Sequence, residues 1–228
     1  MEDRLIIALD VASGRQALDL AEKLSPVTRR FKIGSYLFTL EGPALIRQMR
    51  ERDYQVFLDL KFHDIPDVVA GAVRNACDLG VSMLTIHAAG GLEMMKTAIT
   101  VIRSLPEHDR PLLLAVTVLT SFSVSQWQQT FPHDSLPQAA TRLALLARDA
   151  GLPGLVCSPK ELAQLRHVDM KKIVPGVRPA RSGPDDQQRT MTPAGAIAAG
   201  ADYLVIGRPI TRAADPILAV RAIAKEMS

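Results

Sequence analysis

Short apolar runs rich in Val, Ile and Leu alternate along the chain with longer stretches whose apolar residues recur at helical spacing. The first run, Leu5 to Leu9, closes on Asp10. Ser13 can then cap a helix to Leu24 that keeps Ala17, Leu20, Ala21 and Leu24 on one face. Arg30 to Ile33 predicts a second strand carrying Lys32, with Pro43 to Arg50 in the helix behind it. Gln55 to Lys61 is the third strand, and its helix stops near Gly80. Val81 to His87 is the fourth, before Gly90-Gly91 and a helix to Leu105. Pro111 to Leu119 is the fifth; an insert holding Trp127 separates it from a helix over Leu136 to Ala150. Gly154 to Cys157 is the sixth, with a short helix over Pro159 to Arg166. Lys172 to Pro175 is the seventh, leading into a loop from Gly176 to about Arg189. Thr192 and Pro193 open a helix that ends at Gly200. Tyr203 to Ile206 is the eighth strand, and a helix from Pro216 to about Lys225 follows it.

Strands that are apolar almost throughout belong to a parallel sheet with helices on its faces. Eight strand–helix units in 228 residues form the pattern of a closed (β/α)8 TIM barrel, and no linker or shift of composition divides it, so a single domain over 1–228 is expected. An open, doubly wound sheet is the competing α/β arrangement.

A barrel makes strand ends informative, because its active sites lie at the C-terminal ends of the strands. Asp10, Lys32, Asp59, Lys61, His87 and Thr120 all fall there. The densest cluster is LDLKFHDIPD, which places Asp59, Lys61 and Asp64 within six residues. In a regular strand, side chains two apart face the same way, so Asp59 and Lys61 point together. Ionised groups buried without partners cost several kcal/mol each, so the cluster must be paired or used. A structural ion pair is the plain alternative, but scattered ion pairs would not favour strand ends of one polarity. Asp64 falls near the start of the next helix, where a negative charge is favoured. His87 taken alone reads as a satisfied strand-end histidine.

The loops after strands seven and eight are the usual phosphate site of such barrels. Here they read PGVRPARSGPDDQQR and IGRPI. Gly207 lets backbone N–H groups approach an anion closely, and Arg208 can grip phosphate with its planar fork of donors. Arg178 and Arg181 are weaker candidates for the same task. The long Gly- and Pro-containing loop could close over a ligand as a lid.

Composition narrows the partners. The chain is 47% hydrophobic but only 4% aromatic, so its core must be aliphatic. A net charge of +3 suits an anionic small molecule, while the basic runs interleaved with aromatics that mark nucleic-acid binders are missing. Cys77 and Cys157 are too few for a disulfide framework or a CxxC metal site and are read as buried free thiols. Asp10 interrupts the first apolar run, which therefore does not resemble a signal peptide, and no run approaches the ~18 residues of a membrane span. A cytoplasmic protein without membrane contact is expected.

These motifs together resemble the bacterial type of the orotidine 5'-phosphate decarboxylase family. The resemblance runs end to end: ALD at Asp10, KIG at Lys32, FLDLKFHDIP around Asp59, TIHAAGG around His87, AVTVLTS at Thr120, PGVRP at Arg178, DQQR at Gln187 and VIGRPI at Arg208. It implies a homodimeric barrel that converts orotidine monophosphate to uridine monophosphate, as in pyrimidine biosynthesis, with no metal or organic cofactor. Lys32, Asp59, Lys61 and Asp64 match the family's charged Lys-Asp-Lys-Asp array, whose last Asp reaches the neighbouring subunit's site. Lys61 would be the proton donor, and Asp59 would lie near the departing carboxylate. Asp10 and Lys32 would hold the ribose side, and Thr120 would meet the pyrimidine. Gln187, Gly207 and Arg208 would hold the phosphate, with Arg178 also lining the ligand site. The family's IPNT becomes Ile65-Pro66-Asp67-Val68 here, so one cross-subunit hydroxyl contact is replaced by valine.

The chemistry fits such an array. Loss of CO2 from the pyrimidine leaves electrons in an in-plane orbital that the ring cannot delocalise, so fixed charge must stabilise them. An ammonium beside that carbon can do so and then deliver a proton. A related metal-dependent decarboxylase of sugar-phosphate β-keto acids is the second reading. It shares a DxKxxD strand but needs a further carboxylate where Lys32 stands. A barrel that only binds a nucleotide phosphate is the third.

Overall fold

The computed structural model describes residues 2–179 and 190–227. Its strands are β1 (Leu5–Ala8), β2 (Arg30–Gly34), β3 (Gln55–Phe62), β4 (Met83–His87), β5 (Leu112–Val116), β6 (Gly154–Val156), β7 (Lys171–Val174) and β8 (Tyr203–Ile206). They pair in chain order, in parallel, and the sheet closes where Leu5 meets Leu204 and Ile7 meets Ile206. The expected (β/α)8 barrel is therefore present, and closure rules out the open sheet. The helices are α1 (Gly14–Leu24), α2 (Ser35–Glu51), α3 (Pro66–Asp78), α4 (Gly91–Arg103), α5 (Val124–Thr130), α6 (Leu136–Asp149), α7 (Pro193–Ala198), α8 (Arg208–Thr211) and α9 (Pro216–Glu226).

Strand alternation divides the apolar residues into two layers. Ile6, Phe57, Met83, Leu114, Ile173 and Val205 fill the barrel interior. Ile7, Phe31, Leu58, Leu84, Leu155 and Leu204 point outward to meet Ala17, Ala21, Val73 and Ala98 of the helices. Full burial of one such aliphatic side chain contributes about 1.5 to 3 kcal/mol, which is why continuous Val/Ile/Leu strands specify this architecture. The expected caps are in place: Ser13 Oγ accepts the Gln16 N–H at 3.3 Å, and Thr192 Oγ1 accepts that of Gly195 at 3.2 Å.

α2 contains Pro43 to Arg50 as expected and begins at Ser35; Gly42, at φ 63°, kinks it, and Pro43 restarts the helical path. Two other features differ from expectation, each for a local reason. β5 ends at Val116 rather than Leu119, because Val118 turns into a separate small core with Trp127, Leu136 and Ala139. Pro159 to Arg166 is not a helix. A single 3-10 turn, Pro159–Glu161, forms where Glu161 folds back to accept the Ser158 N–H at 2.9 Å. Most of the expected lid, Gly176 to Arg189, lies outside the described residues. Its ends are joined by a bridge between Val177 and Met191. Among the described residues Cys77 and Cys157 are free thiols, with Cys157 buried and Cys77 half-buried. No helix among them is long and apolar enough to cross a membrane.

Candidate active site

The C-terminal mouth of the barrel holds a cavity of about 490 Å³. A larger, more open groove of about 610 Å³ lies along the outer face of α6, away from the charged strand ends. The mouth is where the chemistry gathers. Inward positions of β1 to β3 and the turns after them bring Asp10, Lys32, Asp59 and Lys61 to one side of the cavity. Val116, Val118 and Val156 make the opposite side apolar, and Val205 adds to the lining beside β1. A ligand seated there meets a charged wall and a wall suited to a flat, weakly polar ring.

The charged wall is a chain of alternating signs. Lys32 Nζ lies 3.5 Å from Asp10 Oδ1 and 3.6 Å from Asp59 Oδ2, and Lys61 Nζ donates to Asp59 Oδ1 at 2.9 Å. Burial raises the pKa of the Asp59 carboxyl, but the Lys32 and Lys61 charges and the hydrogen bonds from Lys61 and Thr85 prevail. Together they hold it below the usual carboxylate range. Asp59 is thus a carboxylate at neutral pH, flanked by two ammonium groups.

β3 is not a regular strand where this contact forms. The β3–β4 ladder pairs Leu58 with Leu84 and then Phe62 with Ile86, so two extra residues of β3 bulge out between those points. Lys61 sits in the bulge at φ 52°, a left-handed conformation that non-glycine residues adopt at a cost of about 1 to 3 kcal/mol. Asp59 and Lys61 meet on one side, as the alternation predicted. The break in the ladder between them was not foreseen from the sequence. The displaced Lys61 N–H donates to Thr85 Oγ1 at 2.9 Å, and that hydroxyl donates to Asp59 Oδ1 at 3.0 Å. Thr85 was not singled out from the sequence. The signal was there in a hydroxyl inside the apolar run Met83 to Ile86, since a buried hydroxyl must find partners.

The rim opposite the lysines is basic. Arg178, Gly207 and Arg208 line it, joined by Arg212, which was not singled out from the sequence. A Cβ on Gly207 would stand 3.3 Å from Ala8 Cβ and 3.8 Å from Asp10 Oδ2. The tight fit against β1 accounts for glycine at this turn. Thr120 lines the same cavity at the end of the β5 turn. Gln187 and Arg181 lie outside the described residues.

Asp64 and His87 stand apart from the cavity's lining. Asp64 is exposed, and its Oδ1 accepts the N–H of Ile65 at 2.7 Å, just ahead of α3. His87 Nδ1 accepts the Ala89 N–H at 3.2 Å, which leaves its ring hydrogen on Nε2, and the ring stacks on His63 with centroids 5.2 Å apart. Burial, the neighbouring His63 and the Lys61 charge pull its pKa down to about 4. The unfolded chain therefore takes up a proton below about pH 6.5 that the folded protein refuses until about pH 4. Stability should fall with pH through that window. The loss is on the order of 1 kcal/mol once solvent screening of a partly exposed ring is allowed for. Denaturant titrations at pH 7 and pH 4.5 should show H87N losing less stability than wild type; equal losses would remove His87 as the cause.

Fold and site together define a parallel (β/α)8 barrel with a lysine–carboxylate array facing an arginine-rimmed cavity. Residues 3–223 match the family described as "Orotidine 5'-phosphate decarboxylase / HUMPS family", and the chain belongs to it. Similar curated proteins are named orotidine 5'-phosphate decarboxylase. The one from Nitrosococcus oceani is 49% identical, covering 100% of this chain and 98% of that protein. The one from Chromobacterium violaceum is 48% identical, covering 98% and 91%. A crystal structure of the enzyme so named from Lactobacillus acidophilus superposes with a TM-score of 0.87 at 33% identity, covering 99% of each chain. The family resemblance read from the sequence is borne out.

Proposed function

We propose that the protein removes CO2 from orotidine 5'-monophosphate to give uridine 5'-monophosphate, the closing step of de novo pyrimidine synthesis, within a single cytoplasmic barrel domain. The observation that carries this reading is the Asp10–Lys32–Asp59–Lys61 chain of charges beside an apolar wall, with Arg178, Arg208 and Arg212 at the far rim. The rim suits a phosphate dianion and the apolar wall a pyrimidine, which sets the substrate carboxylate toward Asp59 and Lys61. Departure of CO2 leaves a lone pair on the ring carbon; the Lys61 ammonium stabilises it and then transfers its proton there. Asp10 and Lys32 hold the ribose side, and Thr120 meets the ring. Binding energy from the phosphate, remote from the reacting carbon, goes into positioning.

The active unit is proposed to be a homodimer in which Asp64 completes the array of the neighbouring subunit. Supporting this, Ile65 and Val68, which follow Asp64 in the chain, and Tyr36 and Leu40 on α2 are all more than half exposed. Large apolar side chains left exposed in this way favour a partner surface. No cofactor is assigned. The metal-dependent reading of the family is disfavoured because the Lys32 ammonium occupies the place beside Asp59 that a divalent cation would need. Purified protein given orotidine 5'-monophosphate in chelator should show the ultraviolet change of decarboxylation, and light scattering should give twice the chain mass. Turnover that appears only when a divalent metal is restored would overturn this assignment in favour of the metal-dependent one.

A further inference from the structure

We propose that Thr85 is a positioning residue for this reaction: its hydroxyl pins the backbone of Lys61 and the carboxylate of Asp59 to one another before substrate arrives. The inference rests on the proposed role of Lys61 as proton donor. It starts from the bulge. With two residues of β3 looped out of the ladder, Lys61 falls between the paired points Leu58–Leu84 and Phe62–Ile86, outside the regular β3–β4 register. A buried N–H needs an acceptor, and Thr85 Oγ1 supplies it at 2.9 Å.

The same oxygen has one hydrogen to give, and it goes to Asp59 Oδ1 at 3.0 Å. That carboxylate oxygen also receives the Lys61 Nζ at 2.9 Å. Backbone N–H, threonine hydroxyl, carboxylate and ammonium therefore form a closed ring in which Lys61 is held at both its main chain and its side-chain tip. Thr85 itself is completely buried and is not part of the cavity's lining. It can act only through Lys61 and Asp59, by keeping a left-handed residue in place and fixing the face that Asp59 shows to the ammonium. Valine has the same shape but neither the acceptor nor the donor; serine has both without the methyl group.

Steady-state decarboxylation by T85V, T85A and T85S, set against wild type, tests this. Displacing the ammonium by a fraction of an ångström should lower kcat by about 10²-fold in T85V and T85A, with KM within about threefold of wild type. T85S should keep kcat within about fivefold, because the ring of hydrogen bonds survives. If T85V fails to fold, the serine and alanine pair still decides, since both lose the methyl and only alanine loses the hydroxyl. Equal impairment of T85S and T85A, or T85V with kcat within threefold of wild type, would overturn the proposal. A wild-type protein that leaves orotidine 5'-monophosphate intact overturns the functional reading and this role with it. An active wild type beside an unimpaired T85V overturns the role of Thr85 alone.

Discussion

Lys61→Ala should leave orotidine 5'-monophosphate almost unconsumed while the protein goes on binding uridine 5'-monophosphate. The substitution removes the one ammonium that both touches Asp59 at 2.9 Å and lines the cavity at the end of the bulge. Proton donation by a positioned acid contributes about 10² to 10⁴ in rate. Fixed charge aimed at a developing anion contributes about 10² to 10³ more. One side chain provides both, so a fall in kcat on the order of 10⁵-fold is expected. The arginine rim is untouched, so calorimetry should find the product's affinity within about tenfold of wild type, because phosphate contacts supply uniform binding. A K61A enzyme retaining a tenth of the wild-type kcat would remove Lys61 from the chemistry.

The reach of sequence reasoning here followed the physics of each feature. The barrel was legible because buried parallel strands cannot hide their continuous apolar runs, and because Ser13, Thr192 and Pro193 punctuate the helices as helix-start chemistry requires. The charged cluster was legible because Asp59 and Lys61 interrupt such a run. What escaped was set by tertiary contacts. Nothing local in QVFLDLKF announces a two-residue slip against β4, since the slip exists only relative to Leu84 and Ile86. Thr85 looked like an ordinary strand threonine, β-branched and at home in a sheet. Its meaning lies in two partners on β3, more than twenty residues earlier.

The same distinction explains the misplaced boundaries and Arg212. Ser35 to Glu41, ahead of the Gly42-Pro43 break, was given no element from the sequence; Leu37 is buried against the barrel and the segment folds as the first part of α2. Leu162, Leu165 and Val168 follow a spacing close to helical, but all are buried in irregular turns. Arg212 lies four residues past Arg208, at the C-cap of the short α8, and the closure of β8 against β1 brings that turn to the cavity. Periodicity reports which face is apolar; it does not report what the face packs against.

Asp59→Asn should lower kcat and kcat/KM together by about 10³-fold, the range expected for losing one fixed electrostatic partner. The wild-type carboxylate receives Lys61 and Thr85 on one oxygen and faces Lys32 with the other. An amide keeps the shape but not the charge, and its NH2 group turns a donor toward one of these donors. Lys61 then loses the anchor that aims it, and Lys32 is left with Asp10, at 3.5 Å, among the described carboxylates. The variant also separates two accounts of the carboxylate. If Asp59 mainly repels the substrate's own carboxylate, its removal should relieve strain in the bound state and KM should fall alongside kcat. If it mainly aims and balances the two ammonium groups, KM should stay near the wild-type value. The short contact to Lys61 and a carboxyl held ionised by both lysines favour the second outcome. A KM that drops as far as kcat, leaving kcat/KM unchanged, would decide for repulsion instead.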